Sequence, residues 1–237
     1  MKRDADFSGF LSQTMDLLGS AAAYAGAFVL VVGGVHSAGF VAGLADDEGA
    51  FFGLGGGITI DGTAGPAGVA FQISAAIVSV IAGYFLLVKL VETAGMRFDT
   101  RNRIWAYIGL SILSLLGIIV GFILLIIPGL ILITRWCAAP GFLVGSGEGV
   151  TDALGASWRA TEGHSWQIFF AGLVIFLIFG IVAAVFGAGS AFASTPVVTE
   201  IVAAFADAIS SVLTAAFGVA VYSLVHTDRQ ELGDVFS

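Results

Sequence analysis

Three ionisable residues, His36, Arg135 and Asp207, stand nearly alone inside long apolar stretches of the chain. An isolated charge in hydrocarbon is expensive, so such residues pair with one another or mark a pathway for an ion or a proton. Counted from the outer ends of their segments at 1.5 Å per residue, all three lie at a depth of roughly 10–17 Å. A common level follows, with Arg135 paired to Asp207 and His36 close enough to hydrogen-bond. Two chemistries fit this intramembrane polar cluster. The simpler is a static ion pair that sets helix registration; the other is a polar cavity for a proton, an ion or a lipid headgroup. Glu200, Asp207, Ser211, Thr214 and Gly218 recur at helical spacing, a stripe expected to face the bundle interior.

Other chemistry finds no support in the residues. Gly53-Leu54-Gly55-Gly56-Gly57 lacks the Lys and Ser/Thr that a nucleotide loop needs. The three histidines are isolated, so no metal site is expected, and His164 and His226 read as interfacial residues at helix ends. Gly145-Ser146-Gly147 and Gly189-Ser190 suggest a serine nucleophile only faintly, since the sequence offers no histidine on a plausible neighbouring helix. Cys137, the single cysteine, reads as a packing residue and excludes a disulfide framework. A net charge of −8 is wrong for a nucleic-acid partner. The expectation is a protein without cofactor and without enzymatic activity.

The elements that must hold these residues follow from composition. Of 237 residues, 58% are hydrophobic and 11% charged, with a mean hydropathy of +1.01. Soluble domains carry about a quarter charged residues; the solvent for most of this chain is lipid. Crossing the hydrocarbon takes about 20 apolar residues. Leu17–Ala45, Thr63–Val88 and Ile104–Ile127 qualify, and Ser165–Val225 divides into two spans, one ending near Ser190 and the next starting near Pro196. Pro128-Gly129 signals a turn. The following Leu130–Gly145 is a marginal length, about 24 Å of helix. It is a short crossing or half of a re-entrant hairpin, the crossing being preferred. The fold class is all-α, a single six-helix transmembrane domain over residues 1–237 whose fourth span is short.

Two further helices are expected to lie on the membrane. Phe7, Phe10, Leu11, Met15 and Leu18 share one face before the first span. From Thr151, a candidate cap, to Thr161, Val150, Leu154 and Trp158 share another, forming an elbow between the fourth and fifth spans. Trp105, Trp158 and Trp166 are candidate interfacial anchors. Lys2, Arg3, Lys89, Arg97, Arg101, Arg103, Arg159 and Arg229 fall on alternate sides of the spans from the acidic loop of Asp46, Asp47, Glu48 and Asp61. Both termini are therefore expected in the cytoplasm of a bacterium, the protein residing in its inner membrane. The first apolar run is too long for the core of a cleaved leader.

Small-residue pairs at four-residue spacing, Gly39/Gly43, Ser79/Gly83, Gly117/Gly121 and Gly141/Gly145, permit close helix approach, within one chain or between copies. Over residues 104–166 the order of motifs is Leu124-Leu125-Ile126-Ile127-Pro128-Gly129-Leu130, then Arg135, Pro140, Ala153-Leu154, Ser157-Trp158 and Gly163. It resembles the membrane domain associated with glycerophosphoryl diester phosphodiesterases and related six-helix bacterial inner-membrane proteins of unknown role. Leu232-Gly233-Asp234-Val235-Phe236 is similar as well. The catalytic histidine-arginine-glycine motif and metal-binding acids of those enzymes do not occur here, so the resemblance implies the membrane part alone. The function expected is a non-catalytic membrane scaffold engaging lipid, another membrane protein or a second copy of itself. The alternative is a small transporter or channel built around Arg135 and Asp207.

Overall fold

Four prolines set helix limits throughout the chain. The computed structural model describes residues 5–44, 65–96, 102–191 and 196–235. Its helices are α1 (Phe7–Ser20), α2 (Ala22–Val41), α3 (Pro66–Thr93), α4 (Ile104–Leu124), α5 (Ile126–Trp136), α6 (Ala139–Gly145), α7 (Val150–Ala160), α8 (Ser165–Ala191) and α9 (Pro196–Val235). The described residues are 88% helical, without strands. Pro66 and Pro196 open α3 and α9, where a missing N–H leaves no helical bond unmade. Pro128 and Pro140 act backwards: a proline ring clashes with the carbonyl four residues earlier. Those residues are Leu124 and Trp136, the last residues of α4 and α5.

The turn expected at Pro128-Gly129 accordingly falls three residues earlier. Leu125 is the extended residue between α4 and α5 (φ −167°, ψ 150°), and both Pro128 and Gly129 lie within the first turns of α5. Among the described residues six helical runs are long and apolar enough to cross a membrane, α5 and α6 together supplying the fourth over Ile126–Gly145. Two helices are longer than the sequence suggested. α3 continues past Val88 to Thr93, where Lys89 and Glu92 pair at 2.7 Å, and α9 continues past Val225 to Val235. The acidic loop at 46–61, the glycine run at 53–57, Lys2, Arg3, Arg97 and Arg101 lie outside the described residues.

The chain forms two compact units. The first comprises residues 1–22, 87–175 and 215–237. Here glycines receive aromatic rings. Gly141 and Gly145 both face Tyr222, and a methyl group on Gly141 would lie 2.5 Å from the Tyr222 ring. Gly117 receives Trp136, Gly121 lies against Gly129 and Leu132, and Gly218 lies against the Cys137 carbonyl. These pairs therefore serve packing within the chain. In α1, Asp6 caps by accepting from Gly9 N–H at 2.6 Å. Its buried face is Phe10, Thr14 and Leu17, while Phe7 and Met15 stay exposed. The apolar stripe read from sequence is thus divided: Phe10 turns to the protein, and Phe7 and Met15 are left for the membrane.

The second unit comprises residues 23–86 and 176–214. Gly33 receives the ring of Phe205 and Gly39 that of Phe71. Gly43 instead ends α2 with φ +66°, a left-handed conformation suited to glycine.

Replacing Gly141 with Ala should lower stability in detergent by about 1–3 kcal/mol, because the added methyl overpacks against Tyr222. Gly34→Ala, where nothing lies within 4 Å, should not. Thermal unfolding followed by circular dichroism checks both.

Candidate functional site

Arg135 is the last-turn cation of α5, half-buried and within the fourth span. Its guanidinium donates to the backbone carbonyl of Trp158 at 3.1 Å and lies 5.2 Å from the centre of the Trp158 ring. In return, Ser157 Oγ donates to the Arg135 carbonyl at 2.6 Å. The C-terminal turns of α5 and α7 are thereby latched in both directions. Arg135 thus finds a partner within its own unit; the partner expected from sequence, Asp207, belongs to the other unit. The cause is that α7 does more than lie on the membrane as an elbow. Ala153, Leu154, Ala156, Ser157 and Ala160 are buried, which brings the end of α7 against the end of α5. Its cap is Gly149, not Thr151, with Asp152 in the first turn and Arg159 in the last.

Arg103 performs a similar task at the start of α4. One nitrogen donates to the carbonyls of Leu143, at 3.0 Å, and Glu148, at 2.6 Å. Beside it, Ser146 Oγ and Tyr222 Oη are 3.1 Å apart, and the Tyr222 ring packs on Phe142 (4.8 Å) and His226 (5.4 Å). The sequence offered Ser146 no histidine neighbour; the fold brings His226 to the ring of its tyrosine partner. Burial pushes the Glu148 carboxyl above its ordinary range, opposed by Arg159 and reinforced by Asp152. Among the anchors, Trp105 is 82% exposed and Trp166 69%, while Trp158 is 40% exposed and has the Arg135 guanidinium over its ring.

His36 and Asp207 both belong to the second unit. His36 Nε2 is 3.3 Å from Oγ of Ser79, a buried residue of α3. The imidazole also interacts electrostatically with the Asp207 carboxylate. Asp207 itself is exposed, and Glu200, Ser211 and Thr214 are half-exposed. The buried face of α9 here is Ala208 and Val212, so of the expected stripe only Gly218 is buried, and Glu200, Asp207, Ser211 and Thr214 are not. Small apolar residues fill that position at no desolvation penalty, whereas a carboxylate there would bear a heavy one. Among the described residues no three His, Cys, Asp or Glu side chains converge as a metal site would require.

No protein-family model, curated protein or solved structure matches the chain. Its functional reading rests on its own geometry. Tyr222 escaped the sequence reading, and Arg103 figured there only as a loop cation. Gly141/Gly145 marked a groove without saying which ring fills it, and Ser79 registered only as a small residue.

Arg135→Ala should cost about 1–2 kcal/mol of stability through loss of the charged hydrogen bond to a partly exposed partner, and Ser157→Ala about 1 kcal/mol. Chemical unfolding in detergent measures both. Glu148 gives a pH dependence of defined sign. A raised carboxyl pKa means the folded chain holds the proton more tightly than the unfolded one. The resulting stabilisation is present at low pH and is lost as pH rises from the ordinary carboxylate value through the raised one. Glu148→Gln should flatten that fall, and its unfolding profile against pH shows whether it does.

Proposed function

We propose that this protein is a non-catalytic, multi-pass scaffold of a bacterial cytoplasmic membrane that engages lipid and presents its apolar flanks to another membrane protein or a second copy. The observation that carries the reading is the α4–α5 hairpin. Its base is fixed, by Arg103 on the Leu143 and Glu148 carbonyls and by Arg135 on Trp158. Its tip is bare: Ile123, Leu124, Leu125, Ile126 and Ile127 are 67–78% exposed. A rigid stem ending in five consecutive large aliphatic residues suits contact with acyl chains and not with water. The similarity of residues 104–166 to the membrane domain associated with glycerophosphoryl diester phosphodiesterases supports the same assignment. The Lys/Arg distribution supports cytoplasmic termini. The alternative, a transporter or channel, draws on the nearness of His36 and Asp207, but Arg135 is committed to Trp158.

Purified from membranes in mild detergent, the protein should retain phospholipid, measurable as organic phosphate. Ile126→Ser with Ile127→Ser should reduce it about two-fold, the tip losing much of its apolar area. Unchanged retention would overturn lipid engagement by the hairpin. For orientation, a Cys137→Ser background carrying Gly56→Cys should react with an impermeant maleimide in intact cells, and one carrying Asn102→Cys only after lysis. The reverse pattern would invert the topology.

A further inference from the structure

Within the first unit, α7 accompanies the base of the α4–α5 hairpin. Its first residue, Val150, lies against Gly109 of α4, and its last turn meets the last turn of α5 through Trp158 and Arg135. Arg135 is level with the middle of α4, since the ring of the adjacent Trp136 fills the space at Gly117. Beside this stretch the Asp152 and Arg159 side chains of α7 are exposed, as is Glu162 just after it. Were Ile104 at the edge of the hydrocarbon, those charges would lie inside it, where isolated charges are costly. The apolar surface points the same way. Exposed aliphatic side chains begin at Ile112 on α4 and end at Ile133 on α5, two residues before Arg135. Nearer the base the large exposed apolar side chain of α4 is Trp105, an indole suited to the headgroup region.

We infer that the α4–α5 hairpin enters the bilayer from the side of Arg103 and ends inside it, its tip of Ile123 to Ile127 resting on acyl-chain ends near the bilayer midplane. From Arg135 to Leu125 is about 15 Å of helix, half of a hydrocarbon core ~30 Å thick. The length and composition of α4 would let it cross, but its first half is kept from lipid by α7. The break at the tip is one residue long. Leu125 N–H stays bonded to the Gly121 carbonyl, and Pro128 has no N–H to leave unpaired, which limits the polar backbone carried to that depth. Such a hairpin displaces lipid from one leaflet alone, as a wedge of two helices each about 10–12 Å across. The inference rests on the reading that the tip contacts acyl chains, and it adds how deep that contact lies.

Depth is measured on the full chain carrying Cys137→Ser, in phosphatidylcholine vesicles, with a bimane fluorophore on one introduced cysteine. Phosphatidylcholine with a nitroxide near either the ester or the methyl end of its acyl chain is the quencher. On Ile126→Cys the methyl-end nitroxide should quench about two-fold more strongly, the two nitroxides lying on the order of 10 Å apart within half of a ~30 Å core. On Ile112→Cys the order should reverse, and Leu116→Cys should fall between. A hairpin that crosses would be quenched best from the methyl end at Leu116 and from the ester end at Ile126. That pattern overturns the half-insertion and leaves lipid contact standing. Quenching at Ile126 by neither nitroxide means that protein covers the tip, and overturns both. Leu124→Cys and Ile123→Cys, comparably exposed, read the same depth if Ile126→Cys does not fold.

Discussion

Carbonyl groups released where helices break organise the first unit. The last four carbonyls of any helix lack an intrahelical partner, and hydrocarbon offers none. Pro128 and Pro140 force breaks after Leu124 and Trp136, and α6 and α7 end at Gly145 and Ala160, so carbonyls without helical partners accumulate over this stretch. The Leu143 and Glu148 carbonyls take the guanidinium of Arg103, the Trp158 carbonyl takes that of Arg135, and the Arg135 carbonyl takes the hydroxyl of Ser157. At the same end of α7, Thr161 Oγ1 donates to Ser157 and Trp158. Helix breaks and capping side chains thus come as matched sets, and the elements must fold together to complete them.

The same constraint explains why a cation in a membrane span need not seek an acid. A carbonyl at a helix C-terminus carries partial negative charge from the aligned peptide dipoles. An arginine that meets one and also covers an indole ring gains electrostatic stabilisation without a second desolvated ion. Arg135 has that arrangement with Trp158. Asp207 is then left to the chemistry of its own unit, where histidine is the one basic side chain.

Periodicity and proline positions made most of the helices legible in the sequence. Runs such as Ile104–Leu124 and Ser165–Ala191 carry no charge, so length alone identifies them. Break positions are less legible, because a proline does not form the turn itself but ends the helix three residues upstream, at Leu125 and Cys137. The depth argument placed His36, Arg135 and Asp207 at a common level, but depth contains no azimuth. Which side of a helix faces a partner is set by packing, and α9 shows it: Ala208 and Val212 take the interior while Asp207 does not. In α7, likewise, alanine and serine form the buried face, residues whose apolar signal is too weak to outweigh Trp158 in a reading by hydrophobicity.

In lipid the hydrophobic effect does not hold helices to one another, so close packing and interhelical hydrogen bonds must. The first unit has several such bonds, among them those of Arg103, Arg135, Ser157 and Tyr222, and none of the four rests on a group that changes charge near neutral pH. In the second unit, Phe205 and Phe71 fill the glycine positions of α2, and His36 bonds across to Ser79. That bond differs in kind. On neutral imidazole Nε2 donates or accepts according to tautomer, whereas on imidazolium it can only donate, which obliges the Ser79 hydroxyl to accept. A contact joining α2 to α3 is therefore open to either direction on the neutral ring and confined to one on the protonated ring.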